Sequence, residues 1–178
     1  MSNEALSLKE VQLKLGVEPH VLIHLCEKDV VIPDIGGAKG RGSARLFSSR
    51  NVFEFLVALT LRRYELPVRV IAVVTRLLRE FEIAVNRLET ASKRPPFALP
   101  DSLLDRSSPR VILHFIDGEL LVISLGTGRN RSCLAINAEK FLKDGSGRVT
   151  IERLEEVPET YETCLSVNLS ELAKKLRS

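Results

Sequence analysis

Apolar residues recur at helical spacing up to about residue 91 and at strand spacing beyond residue 110, and this shift divides the chain into two kinds of structure. Ser7-Leu8-Lys9-Glu10 has the spacing of a capping box, with Leu6 and Val11 at the staple positions. It predicts a short helix over about Leu8 to Leu15, with Leu8, Val11 and Leu15 on one face and Gly16 as the left-handed stop. Pro19 opens a second helix, in which Val21, Leu22, Leu25 and Cys26 face inward. Two short helices joined through Gly16-Val17-Glu18 make a helix-turn-helix candidate. VVIPDI then predicts a strand leading into GGAKGRGSARLF, residues 36–47, and ARLF the strand returning from it. Ser48 or Ser49 caps a third helix with Val52, Phe55, Leu56 and Leu59 inward, and Arg62 and Arg63 close its last turn favourably for the helix dipole. Helix, turn, helix, two-stranded wing, helix is the order of a winged helix-turn-helix, assigned to residues 1–66.

A long helix over residues 67–92 follows. Ile71, Val74, Leu78, Phe81, Val85 and Leu88 alternate by three and four, which is a heptad seam, and predict a dimerisation surface that meets a second copy of the chain. Residues 93–109, KRPPFALPDSLLDRSSP, break every periodicity and read as a linker. Beyond them VILHFIDGELLVISL is two strand-like runs joined by Asp117-Gly118, a strong hairpin signal. Both runs are apolar on both faces, so they should be central and covered. SCLAI, RVTIERL and TCLSVNL are further strands and SELAKKL a closing helix. The expected class is α+β, with a small α+β domain built on an antiparallel sheet over residues 110–178.

Composition changes this picture little. At 44% hydrophobic and 28% charged residues the 178-residue chain is globular in type, with no apolar run of membrane-spanning length and no targeting run at its start, which predicts a cytoplasmic protein without membrane contact. Charge is more informative in its placement. Lys39, Arg41, Arg45, Arg50, Arg62, Arg63 and Arg69 stand against Glu54 and Glu65 between residues 36 and 69, a local excess above the +3 of the whole chain. Such a patch attracts polyanions.

Catalytic chemistry is not expected. The glycine stretch lacks the GK[ST] of a phosphate-binding loop and has Arg45 where a dinucleotide fingerprint needs its third glycine. GTGRNRS, residues 126–132, reads as a hairpin connection whose Arg129 and Arg131 are solvated. His20 and His24 form an exposed i, i+4 pair without an identifiable third ligand, and His114 belongs to a core strand, so neither metal nor cofactor is predicted. Cys26, Cys133 and Cys164 stand alone and read as buried or idle thiols of a reducing compartment.

SLKEVQLKLGVEP, Pro33, ARLFSSRNVFEFL and LPVRVIAVVTRLL together resemble the MerR family of bacterial regulators, over about residues 6–92. The resemblance implies a homodimeric, double-stranded-DNA-binding transcriptional regulator, with RNA polymerase as a further contact. Its second helix would enter the major groove while the wing and helix ends grip phosphates. By position this puts Arg45, Arg50 and Arg62 or Arg63 on the backbone, joined by Lys39 and Arg41 from the glycine stretch. The second helix departs from the family, carrying Ile23, His24 and Leu25 where an arginine and two tyrosines are usual. His20, His24 and Lys28 are what remains for the groove. No cysteine lies between residues 27 and 132, against a metal sensor of this family. Two other readings compete: an architectural, excisionase-like DNA binder, and a protein-interaction module that docks through HVLIHL.

Overall fold

The first helix begins where Ser7 and Glu10 can satisfy one another. In the computed structural model, which describes residues 5–35, 45–88, 96–105, 110–117, 120–127, 130–137, 152–154 and 160–177, the backbone N–H and hydroxyl of Ser7 each donate to the Glu10 carboxylate at 2.7 Å. The Ser7 hydroxyl in turn accepts from the Glu10 N–H at 3.4 Å. These bonds start α1 (Leu8–Leu15), and Gly16 at φ 62 stops it. A side chain in that left-handed conformation would be strained. The second helix, α2 (Pro19–Glu27), buries Leu22, Leu25 and Cys26 and half-buries Val21.

The wing expectation needs a correction. Residues 30–35 form no strand, and the returning strand β2 (Leu46–Phe47) pairs antiparallel with β1 (Leu6–Ser7), Leu6 opposite Phe47 and Ser7 opposite Leu46. The cause is local. Pro33 has no N–H to give a ladder, while the Ile32 carbonyl and the Asp34 N–H are both taken by the side chain of Asn51. Val30 and Val31 are nonetheless buried.

The third helix, α3 (Ser49–Arg62), is capped by Ser48 and is buried nearly all round. Val52, Phe53, Phe55, Val57, Ala58 and Leu61 are inside, and Leu56 and Leu59 are half-buried. Phe47 meets Phe55 edge-on with ring centroids 5.4 Å apart. A helix apolar on most sides belongs at the centre of its unit.

The chain divides into two compact units, residues 1–75 and 76–178, and the boundary falls inside the helix α4 (Val68–Leu88). The heptad seam on this helix is not left for a second copy. Ile71, Val74, Leu78, Phe81 and Val85 are each 3% exposed or less in the single chain, so they are core; the side chain of Leu88 lies outside the described residues. The cover over the seam's second half comes from the stretch expected to be a linker. Phe97 meets Phe81 edge-on at 5.7 Å. Asn86 brackets the same residue, donating to the Phe97 carbonyl at 2.8 Å and accepting from its N–H at 2.7 Å. The Leu99 N–H donates to Glu82 at 3.0 Å. Phe97, Leu99, Leu103 and Leu104 are buried, the last two on a short helix α5 (Asp101–Leu104).

The rest of the second unit is the expected antiparallel sheet. Its strands are β3 (Arg110–Ile116), β4 (Leu120–Thr127), β5 (Asn130–Asn137), β6 (Glu152–Leu154) and β7 (Cys164–Asn168), in the order β6-β5-β4-β3-β7. Ile116 opposite Leu120 closes the predicted hairpin, with Asp117 at φ 50, a conformation aspartate tolerates better than most residues. Thr127 opposite Asn130 closes the next, where GTGRNRS was read as a connection. Leu121, Val122, Ile123 and Ser124 are buried in succession, so β4 is covered on both faces. The closing helix α6 (Leu169–Lys174) is capped by Asn168, whose side chain accepts from the Glu171 N–H, and its Ser170 hydroxyl accepts from the Val111 N–H at 3.0 Å. No helix among the described residues is long and apolar enough to cross a membrane.

Two measurements check this architecture. Phe81→Ala should destabilise the protein by about 3–5 kcal/mol in denaturant unfolding while leaving its mass by light scattering unchanged, whereas a seam shared between copies would change both. The capping box makes the second prediction. Its hydrogen bonds from Ser7 hold the Glu10 carboxyl below its ordinary pKa. A depressed folded pKa stabilises above the unfolded value, and that stabilisation is lost as pH falls through the folded one. Glu10→Gln should therefore show a shallower loss of stability through the acid range than the parent chain.

Candidate nucleic-acid interface

Every predicted contact of the wing and third helix depends on how the chain leaves and re-enters the cationic stretch, and one buried side chain governs that. Asn51, fully buried at the third position of α3, uses its whole hydrogen-bonding capacity. Its Nδ2 donates to the Ile32 carbonyl at 2.9 Å and to the Glu54 carboxylate at 3.0 Å. Its Oδ1 accepts from the backbone N–H of Asp34 at 2.9 Å and of Ser48 at 3.2 Å. Ser48 adds a further tie, donating from its hydroxyl to Asp34 Oδ2 at 2.8 Å while accepting from the Asn51 N–H at 3.2 Å. The segment before the glycine stretch and the segment after it are thus fastened at one point, the amino terminus of α3. Lys39 and Arg41 lie in residues 36–44, outside the described residues.

Arg45, the first described residue after that stretch, is half-buried, and its guanidinium acts electrostatically on the Cys26 thiol of α2. Burial pushes the Cys26 thiol up, against the pull of the Arg45 guanidinium. Arg50, in the first turn of α3, is half-buried.

Arg62 and Arg63 are exposed at the opposite end of α3. At about 1.5 Å per residue the twelve steps from Arg50 to Arg62 span about 18 Å along the helix axis. The cations that crowd together in sequence are thus held at two separate ends rather than gathered in one cluster. On α2, His20 is exposed and His24 half-buried, four apart on one strip, and Lys28 is exposed at the residue that caps the helix's carboxy end.

Sequence reasoning did not find Asp34 and Asn51, although Ser48-x-x-Asn51 has the spacing of a capping box with a carboxamide in place of the usual carboxylate. Nor did it find that His114, correctly placed in a core strand, has Ser124, Ser166 and Cys164 beside it. Ser166 and Cys164 stand some fifty positions further along, and only strand pairing brings them together. Among the described residues no group of three or more histidines, cysteines and carboxylates is placed to hold a metal ion. Compared with known proteins, the chain matches no family model and no curated protein.

Removing the Asn51 side chain takes one partner each from the buried Ser48 N–H and Glu54 carboxylate and from the part-buried Ile32 carbonyl and Asp34 N–H, at about 0.5–3 kcal/mol for each hydrogen bond lost. Asn51→Ala should cost at least about 3 kcal/mol in denaturant unfolding, whereas Ser49→Ala next to the cap should stay within about 0.5 kcal/mol.

Proposed function

We propose that the amino-terminal unit is a winged helix-turn-helix of MerR type and that the chain binds double-stranded DNA as a transcriptional regulator. The observation that carries this reading is the latch at Asn51. It fixes both ends of a glycine-rich, cationic stretch to the start of α3, beside an α1-turn-α2 pair, which is what a wing lying along a phosphate backbone requires. Glycines allow close approach, and lysine and arginine supply charge. The two cationic ends of α3, about 18 Å apart along its axis, form contact points wide enough to bracket a major groove of about 12 Å. In this reading α2 enters that groove with His20, His24 and Lys28.

Regulators of this kind read two half-sites as a symmetric pair. The buried seam cannot supply the pairing surface, so a homodimer would form through other residues. RNA polymerase remains the further contact that the family resemblance implies. The same burial favours one alternative, an architectural DNA-binding protein that acts as a single chain and bends its site. Selection from a random duplex pool separates the two, because only the symmetric regulator enriches a palindrome.

The test of DNA binding itself is its salt dependence. A complex making about 6 to 10 phosphate contacts should lose roughly 10³ to 10⁵ in affinity between about 50 and 200 mM salt. Fluorescence anisotropy on a labelled duplex measures this. Replacing Arg62 and Arg63 together by alanine should lower the slope of log affinity against log salt by about 2 for each chain bound and leave unfolding unchanged, both side chains being exposed. Binding indifferent to salt would overturn the reading.

A further inference from the structure

The sheet of the second unit carries a polar row that DNA binding does not use. Strand alternation and register place Ile112 and His114 of β3, Val122 and Ser124 of β4, and Cys164 and Ser166 of β7 on one face, with His114 directly opposite Ser166. His114 is only 9% exposed. Its Nδ1 lies 2.9 Å from Ser166 Oγ and its Nε2 3.1 Å from Ser124 Oγ. Ser124 Oγ is also 3.5 Å from the Ile112 carbonyl. A carbonyl only accepts, so when Ser124 donates to it the hydroxyl offers a lone pair to Nε2–H. In that tautomer Nε2 is the protonated nitrogen and Nδ1 the proton acceptor.

The acceptor faces a thiol. Cys164 Sγ is 4.0 Å from Nδ1 and 3.4 Å from Ser166 Oγ. With the ring in that tautomer the row can carry one polarity: thiol to Ser166 hydroxyl, hydroxyl to Nδ1, and on the far side of the ring Nε2–H to Ser124 to the Ile112 carbonyl. A nucleophile, a base and a group that orients the base are the components of an activated nucleophile. Ser166 is exposed and Cys164 half-buried, so the thiol end meets solvent while the base stays inside the sheet. Among the described residues β7 pairs only with β3, at the end of the strand order.

We propose that Cys164 is a reactive thiol that exchanges with small disulfides, its proton passing through the Ser166 hydroxyl to His114 Nδ1. In the exchange Cys164 Sγ attacks one sulfur of the disulfide. The new Sγ–S bond forms as the reagent's S–S bond breaks, the Cys164 sulfur is oxidised, and the leaving sulfur is reduced. The proton held on Nδ1 returns through Ser166 to the leaving thiolate. The small disulfide is the oxidant, and the products are a mixed disulfide on Cys164 and one free small thiol.

The probe is dipyridyl disulfide added to the intact, folded chain, with thione release followed by absorbance and the modified residue located by peptide mass spectrometry. One fast equivalent should map to Cys164 and disappear in Cys164→Ser. His114→Gln puts the sheet itself at risk, so the serines on either side of the ring carry the test. Ser166→Ala breaks the relay and Ser124→Ala releases the tautomer. Each should slow the fast phase by roughly tenfold to a hundredfold with the circular dichroism of the parent, and Ser166→Thr, which keeps the hydroxyl, should recover most of the rate. A fast phase that survives Cys164→Ser, alanine variants that react at the parental rate, or a threonine variant as slow as alanine would each overturn the proposal.

Discussion

A single buried carboxamide decides the course of the chain through the amino-terminal unit. Asn51 takes the Ile32 carbonyl and the Asp34 and Ser48 N–H groups, and two of those three belong to a segment that would otherwise be free to enter a sheet. With its ladder groups spent on a side chain, that segment cannot be the first strand of a hairpin. β2 pairs instead with β1, which runs directly into α1. The position of the third helix, the absence of a strand at residues 30–35 and the pairing of β1 with β2 are therefore one fact seen three ways. Because each of these hydrogen bonds contributes about 0.5–1.5 kcal/mol, the three together are appreciable against a domain stability of about 5–15 kcal/mol.

What could be read from the sequence was whatever depends on neighbours along the chain. The capping box at Ser7 and Glu10, the glycine stop at Gly16, the proline start of α2 and the Asp117 hairpin are settled within four residues, and each formed as its spacing implies. Long-range pairing follows different rules. Two apolar runs flanking a glycine-rich stretch have the pattern of a hairpin, and nothing in that pattern reveals that a side chain seventeen positions away intercepts the backbone. The charge pattern has the same limit, since Arg50 and Arg62 are close in sequence yet held at opposite ends of a rigid helix.

The heptad seam shows why periodicity leaves its partner unnamed. Alternation by three and four states that a stripe is buried, and the stripe is buried. What buries it is a separate question, because a second helix and a stretch of irregular chain remove the same apolar area from water. Here Phe97 and Leu99 cover the second half of α4 from a proline-rich segment in which periodicity is necessarily absent. Asn86 and Glu82, polar residues flanking the seam, supply the hydrogen bonds that such an irregular segment needs once its backbone is buried. Their position beside the seam is the feature that distinguishes a helix built to receive irregular chain from one built for a coiled coil, where flanking positions favour charge pairs between helices.

The row at His114 raises the opposite problem, a polar arrangement with more components than burial demands. A buried imidazole needs a partner for each nitrogen, and Ser124 and Ser166 supply both. If satisfaction of the ring were the whole purpose, the residue two positions before Ser166 would be free to be any side chain suited to the edge of a sheet, and an aliphatic one would pack better. It is instead a thiol, on the same face, with its sulfur 4.0 Å from His114 Nδ1. The serine between them is the exposed member of the row, and an exposed hydroxyl is a poor choice for stabilising a core but a suitable one for passing a proton between solvent-facing sulfur and buried base. The placing of a thiol, an exposed hydroxyl and a buried base in one row is thus the physical reason for reading it as chemistry rather than as packing.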